Sequence, residues 1–344
     1  MDTVRTAIGA SILALTALCS STPVWSQSVA DFYRGKSISM VIATSPGGDY
    51  DQRARLLARH IGRHIPGEPA IIARNMPGAV GVQAANWLAT VAPRDGTVLH
   101  AIMQNMSAYQ ALGGASVEFD TRKFSWIGNA TDSPNVINSW HTTGIKTIQD
   151  AMTRELVVGA PGTATSSVYY PKALNELVGT KFKIVSGYPG GNDVNLAMER
   201  GEVGGRGSNS WASWKSTHPQ WLVEKKIFIL VQIALKRHPE LADVPTMIEL
   251  AKNDDDRAVL AFLSADIPIN RAYVTTPGTP PERVQALRRA FDATVKDPAF
   301  LAEAAKSNID ISASTGEEAQ KFSDMIANTP PAVIARAKVI LDVK

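Results

Sequence analysis

The chain has 344 residues, 44% of them apolar and 19% charged, enough to bury a sizeable core and to divide into two domains. That balance excludes a disordered or fibrous protein. Its 35 Lys and Arg against 32 Asp and Glu leave a net charge of +3 with no basic run, which argues against a nucleic-acid partner, because phosphate recognition needs clustered positive charge.

The first residues read as an export signal. Arg5 sits in a short polar start, Ala7 to Leu18 is an apolar run, and Val24-Trp25-Ser26 places small residues where a signal peptidase reads them, so cleavage is expected after Ser26. The run is shorter than the ~20 residues that span a bilayer. Cys19, the single cysteine, falls in the removed piece, and Leu18 before it is too large for a lipid-attachment signal. The mature chain then has no disulfide and no thiolate metal site, and is expected to be a soluble exported protein.

Ser39 to Thr44 reads as the first strand, followed by the turn Ser45-Pro46-Gly47-Gly48 and a helix from about Asp51 to Ile65. Leu57, Ile61 and Ile65 make its buried stripe, with Arg53, Arg59 and Arg63 expected elsewhere around it. Ala70 to Arg74 is a second strand, Ala84 to Ala92 a helix, and Thr97 to Ile102 a third strand. Strand and helix alternating at these intervals predict a parallel sheet with ligand loops at the strands' carboxyl ends. Phe124 to Trp140 is apolar but broken, suited to a segment crossing between domains.

A second β-α-β series begins at Leu156 to Gly159 and turns through Gly162-Thr163-Ala164-Thr165-Ser166-Ser167 into a helix ending near Leu177. Lys181 to Ser186 is the next strand, ending in Gly187-Tyr188-Pro189-Gly190, and a helix through Leu196 and Met198 follows. Val203 to Arg206 reads as a short strand delivering Ser208 and Asn209, with Trp211 beyond. Ile227 to Ala234 and Ala272 to Thr275 are strands, Lys252 to Arg257 a polar surface turn, and the stretch from Pro281 onward mostly helical.

The chemical clue is the pair of Gly- and Ser/Thr-rich strand-turn-helix units, one in each half. Ser45 through Asp51, including Asp49 and Tyr50, offers backbone N–H groups at a helix mouth, where a carboxylate can be held. Gly162 through Ser167 adds the hydroxyls of Thr163, Thr165, Ser166 and Ser167. Both turns can equally be plain turn and cap chemistry. Asp51 beside an anion needs a mediating water or ligand hydroxyl, and helix capping fits it as well. Tyr188, Pro189, Gly190, Ser208, Asn209 and Trp211 are rim candidates, and Arg206 can offer a guanidinium to a second carboxylate or form a salt bridge. Asn75 and Asn105 stand at strand ends, to orient a ligand or cap a turn.

Catalytic patterns are missing. His60 and His64 share helical spacing without a third ligand nearby, on what reads as a solvated face, and neither a Gly-x-Ser-x-Gly turn nor a phosphate-loop lysine occurs. No enzyme activity, metal or cofactor is expected.

Several motifs in order, YRGKSISMVIATSPGGDYDQRARLLARHIGRHIPG, IIARNMPGAVGVQAANWL, APGTATSS, GYPGGNDVNLAMERGEV, LADVPTMIEL and VTTPGTPPERV, resemble the periplasmic solute receptors of the tripartite tricarboxylate transporters. The resemblance covers nearly the full mature chain. It implies an α/β type II periplasmic binding protein, two β-α-β lobes around a central ligand cleft, with residues 27–132 and 240–344 in one lobe and 133–239 in the other. It also implies delivery of a small organic carboxylate to a small and a large integral-membrane subunit; a monomer is expected. Asp51 falls at the family's acidic position, acting through water, and the loops at Gly187 and Gly207 close the far lobe. Asp49-Tyr50 before Asp51, and GYPGGND in place of a VPYKGG-like loop, depart from the common pattern and leave the particular substrate unassigned. An exported sensor using the same cleft is the alternative.

Overall fold

The computed structural model describes residues 28–343, so the expected signal segment 1–26 lies outside the described residues. Its strands are β1 (Ser37–Ile42), β2 (Ala70–Asn75), β3 (Val98–Ala101), β4 (Ser125–Asn129), β5 (Asn135–Trp140), β6 (Leu156–Ala160), β7 (Phe182–Ser186), β8 (Gly205–Ser210), β9 (Ile227–Ile233), β10 (Ala272–Thr275) and β11 (Ser314–Thr315). They form two sheets, ordered β11-β4-β10-β3-β1-β2 and β7-β6-β8-β5-β9. Within each sheet the strands of one β-α-β series are parallel. Strands outside the two series make the sheets mixed, for β10 runs antiparallel to β3 and β4, and β5 runs antiparallel to β8 and β9.

Those antiparallel strands are where the chain changes lobe. The broken apolar stretch 124–140 is two strands, β4 in the first sheet and β5 in the second, both buried throughout except Ser125. The return runs from β9 to β10. The two crossings are bonded to each other: Asn129 Oδ1 accepts from the Arg271 N–H at 2.9 Å, the Ala130 N–H donates to the Arg271 carbonyl at 3.0 Å, and Asn270 Nδ2 donates to the Ser133 carbonyl. A hinge made of strand ends so cross-linked has few soft torsions. Residues just after β9 stay with the second sheet, for Thr246 bridges Gln232, and Leu241 packs in an apolar cluster with Trp140, Trp214 and Trp221.

Three expectations about surface are corrected. The His60 face is covered, because the helix Pro298–Lys306 and the Asp297 before it close over it. His60 Nε2 lies 2.6 Å from Glu303 Oε2 and His64 Nε2 2.9 Å from Asp297 Oδ2. Arg53, expected away from the core, is 3% exposed. The polar run 252–257 is not a turn but the start of the helix Asp254–Ser264: Asn253 caps it by accepting from the Asp256 N–H, and three successive Asp sit where the helix dipole favours negative charge.

Asp266 lies just past that helix, 2% exposed, with the Tyr170 hydroxyl of the second lobe 3.4 Å from its Oδ1. Burial pushes its carboxyl up to about 7, against the hydrogen bond from Tyr170. An acid whose pKa rises on folding costs stability as pH climbs from its unfolded value through the folded one, and the penalty is complete above that. Asp266→Asn should therefore match the wild type near pH 4 and exceed it by roughly 2–4 kcal/mol at pH 8, read by urea denaturation across that range.

Candidate functional site

A cavity of about 640 Å³ lies between the lobes, at the carboxyl ends of the parallel strands of both series. Three helix N-termini open onto it, those of Asp49–Ile61, Ser166–Val178 and Gly191–Glu199. None has a side chain capping its first N–H groups. Uncapped N–H groups and the positive ends of three dipoles make the space favourable to an anion.

From the first turn, Ser45, Pro46, Gly48, Asp49 and Tyr50 line the cavity, while Gly47 and Asp51 do not. Gly47 takes φ +87°, a left-handed conformation that favours glycine, and its N–H donates to Asp51 Oδ2 at 2.9 Å. Asp51 Oδ1 accepts from Arg55 Nε at 2.9 Å and from Asn75 Nδ2 at 2.8 Å; Asn75 also donates to the Thr44 carbonyl. Asp51 and Asn75 thus hold the turn from behind. Tyr50 likewise spends its hydroxyl on structure, donating to the Asn270 carbonyl at the hinge and accepting from the Gln104 N–H.

Of the second turn, Thr165, Ser166 and Ser167 reach the cavity, and Gly162, Thr163 and Ala164 do not. Thr165 Oγ1 donates to the Gly162 carbonyl at 2.7 Å, closing the turn on itself. Ser167 Oγ donates to the Ser208 carbonyl, and Ser166 Oγ is 3.3 Å from the Ser208 hydroxyl. Tyr188, Pro189, Gly190, Arg206, Ser208, Asn209 and Asn105 are all on the wall. Asn105 Nδ2 donates to the Ala164 carbonyl of the other lobe at 2.9 Å. Trp211 lies off the wall, its indole N–H donating to Glu240 Oε2.

Arg271, also on the wall, carried no sequence signal. Arg271 stands at the start of β10, far from any turn motif, and is 6% exposed. Its Nε donates to Asp49 Oδ2 at 2.6 Å, while Arg53 Nε donates to Asp49 Oδ1 at 2.8 Å. Burial works against charge on Asp49, but Arg53 and Arg271 outweigh it and bring its carboxyl down to about 2. The loop after β2 also reaches the wall through Pro77, Gly78, Ala79 and Val80. Val80 has φ +53°, a strained state for a β-branched residue. Among the described residues, no group of His, Cys, Asp or Glu is placed to hold a metal ion.

Two lobes joined by two crossings, with an anion-favouring cavity between them, define a solute-binding receptor of the periplasmic two-lobed class. The sequence matches the tripartite tricarboxylate transporter family receptor over residues 54–339, and the chain belongs to that family, whose receptors are periplasmic. It is 25% identical over 335 residues to a UPF0065 protein in the gbd 5′ region of Cupriavidus necator, with 95% of each chain covered. In fold it is similar to a TctC solute-binding protein from Polaromonas solved without ligand, with 19% identity, a TM-score of 0.61, and 90% of this chain and 99% of that one covered. It is also similar to MatC from Rhodopseudomonas palustris with bound malate, at 21% identity, TM-score 0.65, and coverage of 89% and 99%. A further R. palustris protein, solved with adipate, aligns at 18% identity, TM-score 0.68, and coverage of 90% and 98%.

Among the described residues, Asp49 is the one carboxylate paired with both Arg53 and Arg271. Asp49→Asn should leave two buried guanidiniums without a counter-charge and cost about 3–5 kcal/mol, measured by urea denaturation at pH 7.

Proposed function

We propose that the protein is an extracytoplasmic receptor that captures a small organic anion, a mono- or dicarboxylate, between its lobes and delivers it to the small and large integral-membrane subunits of a tripartite transporter. The observation that carries this reading is the convergence of three uncapped helix N-termini and two guanidiniums, Arg206 and Arg271, on one interlobe cavity. Malate and adipate, bound by proteins of similar fold, are acids of a size that such a cavity holds.

In this reading the chain is exported with loss of residues 1–26 and works as a monomer, without a chemical step. One lobe comprises residues 27–132 and most of the chain after the return crossing, the other the residues between the crossings, against which the last helix, Pro331–Leu341, packs through Lys172 and the Leu341 carbonyl. Backbone N–H groups around Ser45 to Tyr50 and Ser166 to Ser167 hold the carboxylate, with Ser166, Ser208 and Asn209 adding polar contacts and Tyr188 and Pro189 an apolar wall. Gly47, Asp51 and Asn75 act behind them by fixing the first turn. Contact with both lobes favours their closed arrangement, which the membrane subunits recognise.

A matching acid at about 100 times its dissociation constant stabilises the folded state by about 2.7 kcal/mol. Melting temperature should therefore rise by several degrees, and small-angle scattering should report a smaller radius of gyration, for a subset of an organic-acid panel. Unchanged melting and scattering across the panel would remove the receptor reading. Ser166→Ala should weaken the best acid roughly tenfold by calorimetry without changing the melting temperature of the ligand-free protein.

A further inference from the structure

Arg206 is set into the second lobe with its guanidinium 5.7 Å from the centre of the Trp214 ring, a cation–π contact that stabilises the charge without neutralising it. It rises from β8 against the first turn of the helix Gly191–Glu199, so close that a Cβ on Gly191 would lie 2.2 Å from its Nη2. Glycine at that position is what admits it. A guanidinium against the positive end of a helix dipole is electrostatically unfavourable. Its only hydrogen bond is from Nη1 to Asn195 Oδ1 at 3.1 Å, and its buried Nε has no partner. Among the described residues, none of the ion pairs includes Arg206. The open part of the side chain faces the cavity.

Across the cleft stands Arg271, near enough for its charge to be felt. Burial, and then Arg271, bring Arg206 down to about 10, so it still carries full charge at neutral pH. Asp49 pulls the other way, but its two oxygens are already taken by Arg53 and Arg271. Asp193 is the other carboxylate on the wall, half-buried in the first turn of the helix Gly191–Glu199 and outside salt-bridge reach of Arg206. His218, beside Trp214 and Trp221, is pushed down to about 4 by burial and by Arg206, and is neutral. Three guanidiniums, the buried Arg53 and Arg271 and the half-buried Arg206, thus stand around one buried carboxylate, Asp49.

We propose that Arg206 is the specificity-determining residue of this cleft, making an ionised carboxylate on the ligand mandatory, and that its repulsion of Arg271 across the cleft couples lobe closure to that charge. This rests on the receptor reading above and deepens it. Without an anion, bringing the lobes together presses two like charges into a space of low dielectric. With one, the carboxylate pairs with the guanidinium where it opens onto the cavity and removes the penalty. A neutral isostere of the same shape, such as an amide, leaves Arg206 without a counter-charge and is rejected.

The test has two arms. In the first, calorimetry compares succinate, glutarate and adipate with their mono- and diamides. The diamides should not bind, and Arg206→Met should weaken the tightest acid by roughly 30-fold or more, with Arg206→Lys recovering part of the loss because it restores charge without the fork. The second arm needs no ligand. Arg206→Met should raise the melting temperature of the ligand-free protein by about 2–4 °C and make it more compact in small-angle scattering, since it removes an unpaired cation. A ligand-free Arg206→Met protein that melts lower than wild type and is no more compact would overturn the proposal, as would affinity held within about threefold. If no acid stabilises the wild type, the receptor reading fails in its substrate class, while the ligand-free arm still decides whether Arg206 is an uncompensated charge.

Discussion

The carboxylate of Asp49 joins everything at the mouth of the cleft. It sits in the first turn of a helix, where the dipole favours it, and receives Arg53 from its own helix and Arg271 from the start of β10. Arg271 adjoins Asn270, whose side chain reaches Ser133 and whose carbonyl accepts from the Tyr50 hydroxyl. One buried anion therefore ties the binding turn, the helix behind it and both interlobe crossings into a single rigid piece. Desolvating these charges is costly, and only the completeness of the network makes the arrangement tolerable.

Much of the architecture was legible in the residues. Alternating apolar runs and Gly/Pro turns give β1 to β3, β6 and β7 with boundaries a residue or two from those observed, because in a β-α-β series local pattern and tertiary need agree, while β8 runs four residues past its expected end at Arg206. The turns at Ser45 and Ser166 were legible for the same reason, being built from neighbours in sequence. The strands β4 and β5 were not, since each is buried on both faces and has no alternation to read. The helix Asp254–Ser264 hid behind its three Asp residues, which read as a solvated turn.

The site was legible where it is local and opaque where it is long-range. Arg271 comes to Asp49 from 222 positions away, and no spacing announces it. Asp51 read as a possible ligand contact, but Gly47, Arg55 and Asn75 occupy its oxygens, a competition visible only once the strand end of β2 lies beside the turn. The bend at Val80 follows from a loop packed toward Gly162 of the opposite lobe, which propensity cannot foresee.

The donors that face the cavity from the three helix mouths belong to the main chain. A peptide N–H is encoded by no particular amino acid, so substitution along the wall away from Arg206 and Arg271 leaves this preference for negative charge in place. Tyr188, Asn209 and Val80, by contrast, are side chains at the same wall and set its contour. A lineage built on this plan can exchange one acid for another of different length or branching by altering a few codons, without ever rebuilding the apparatus that attracts acids at all.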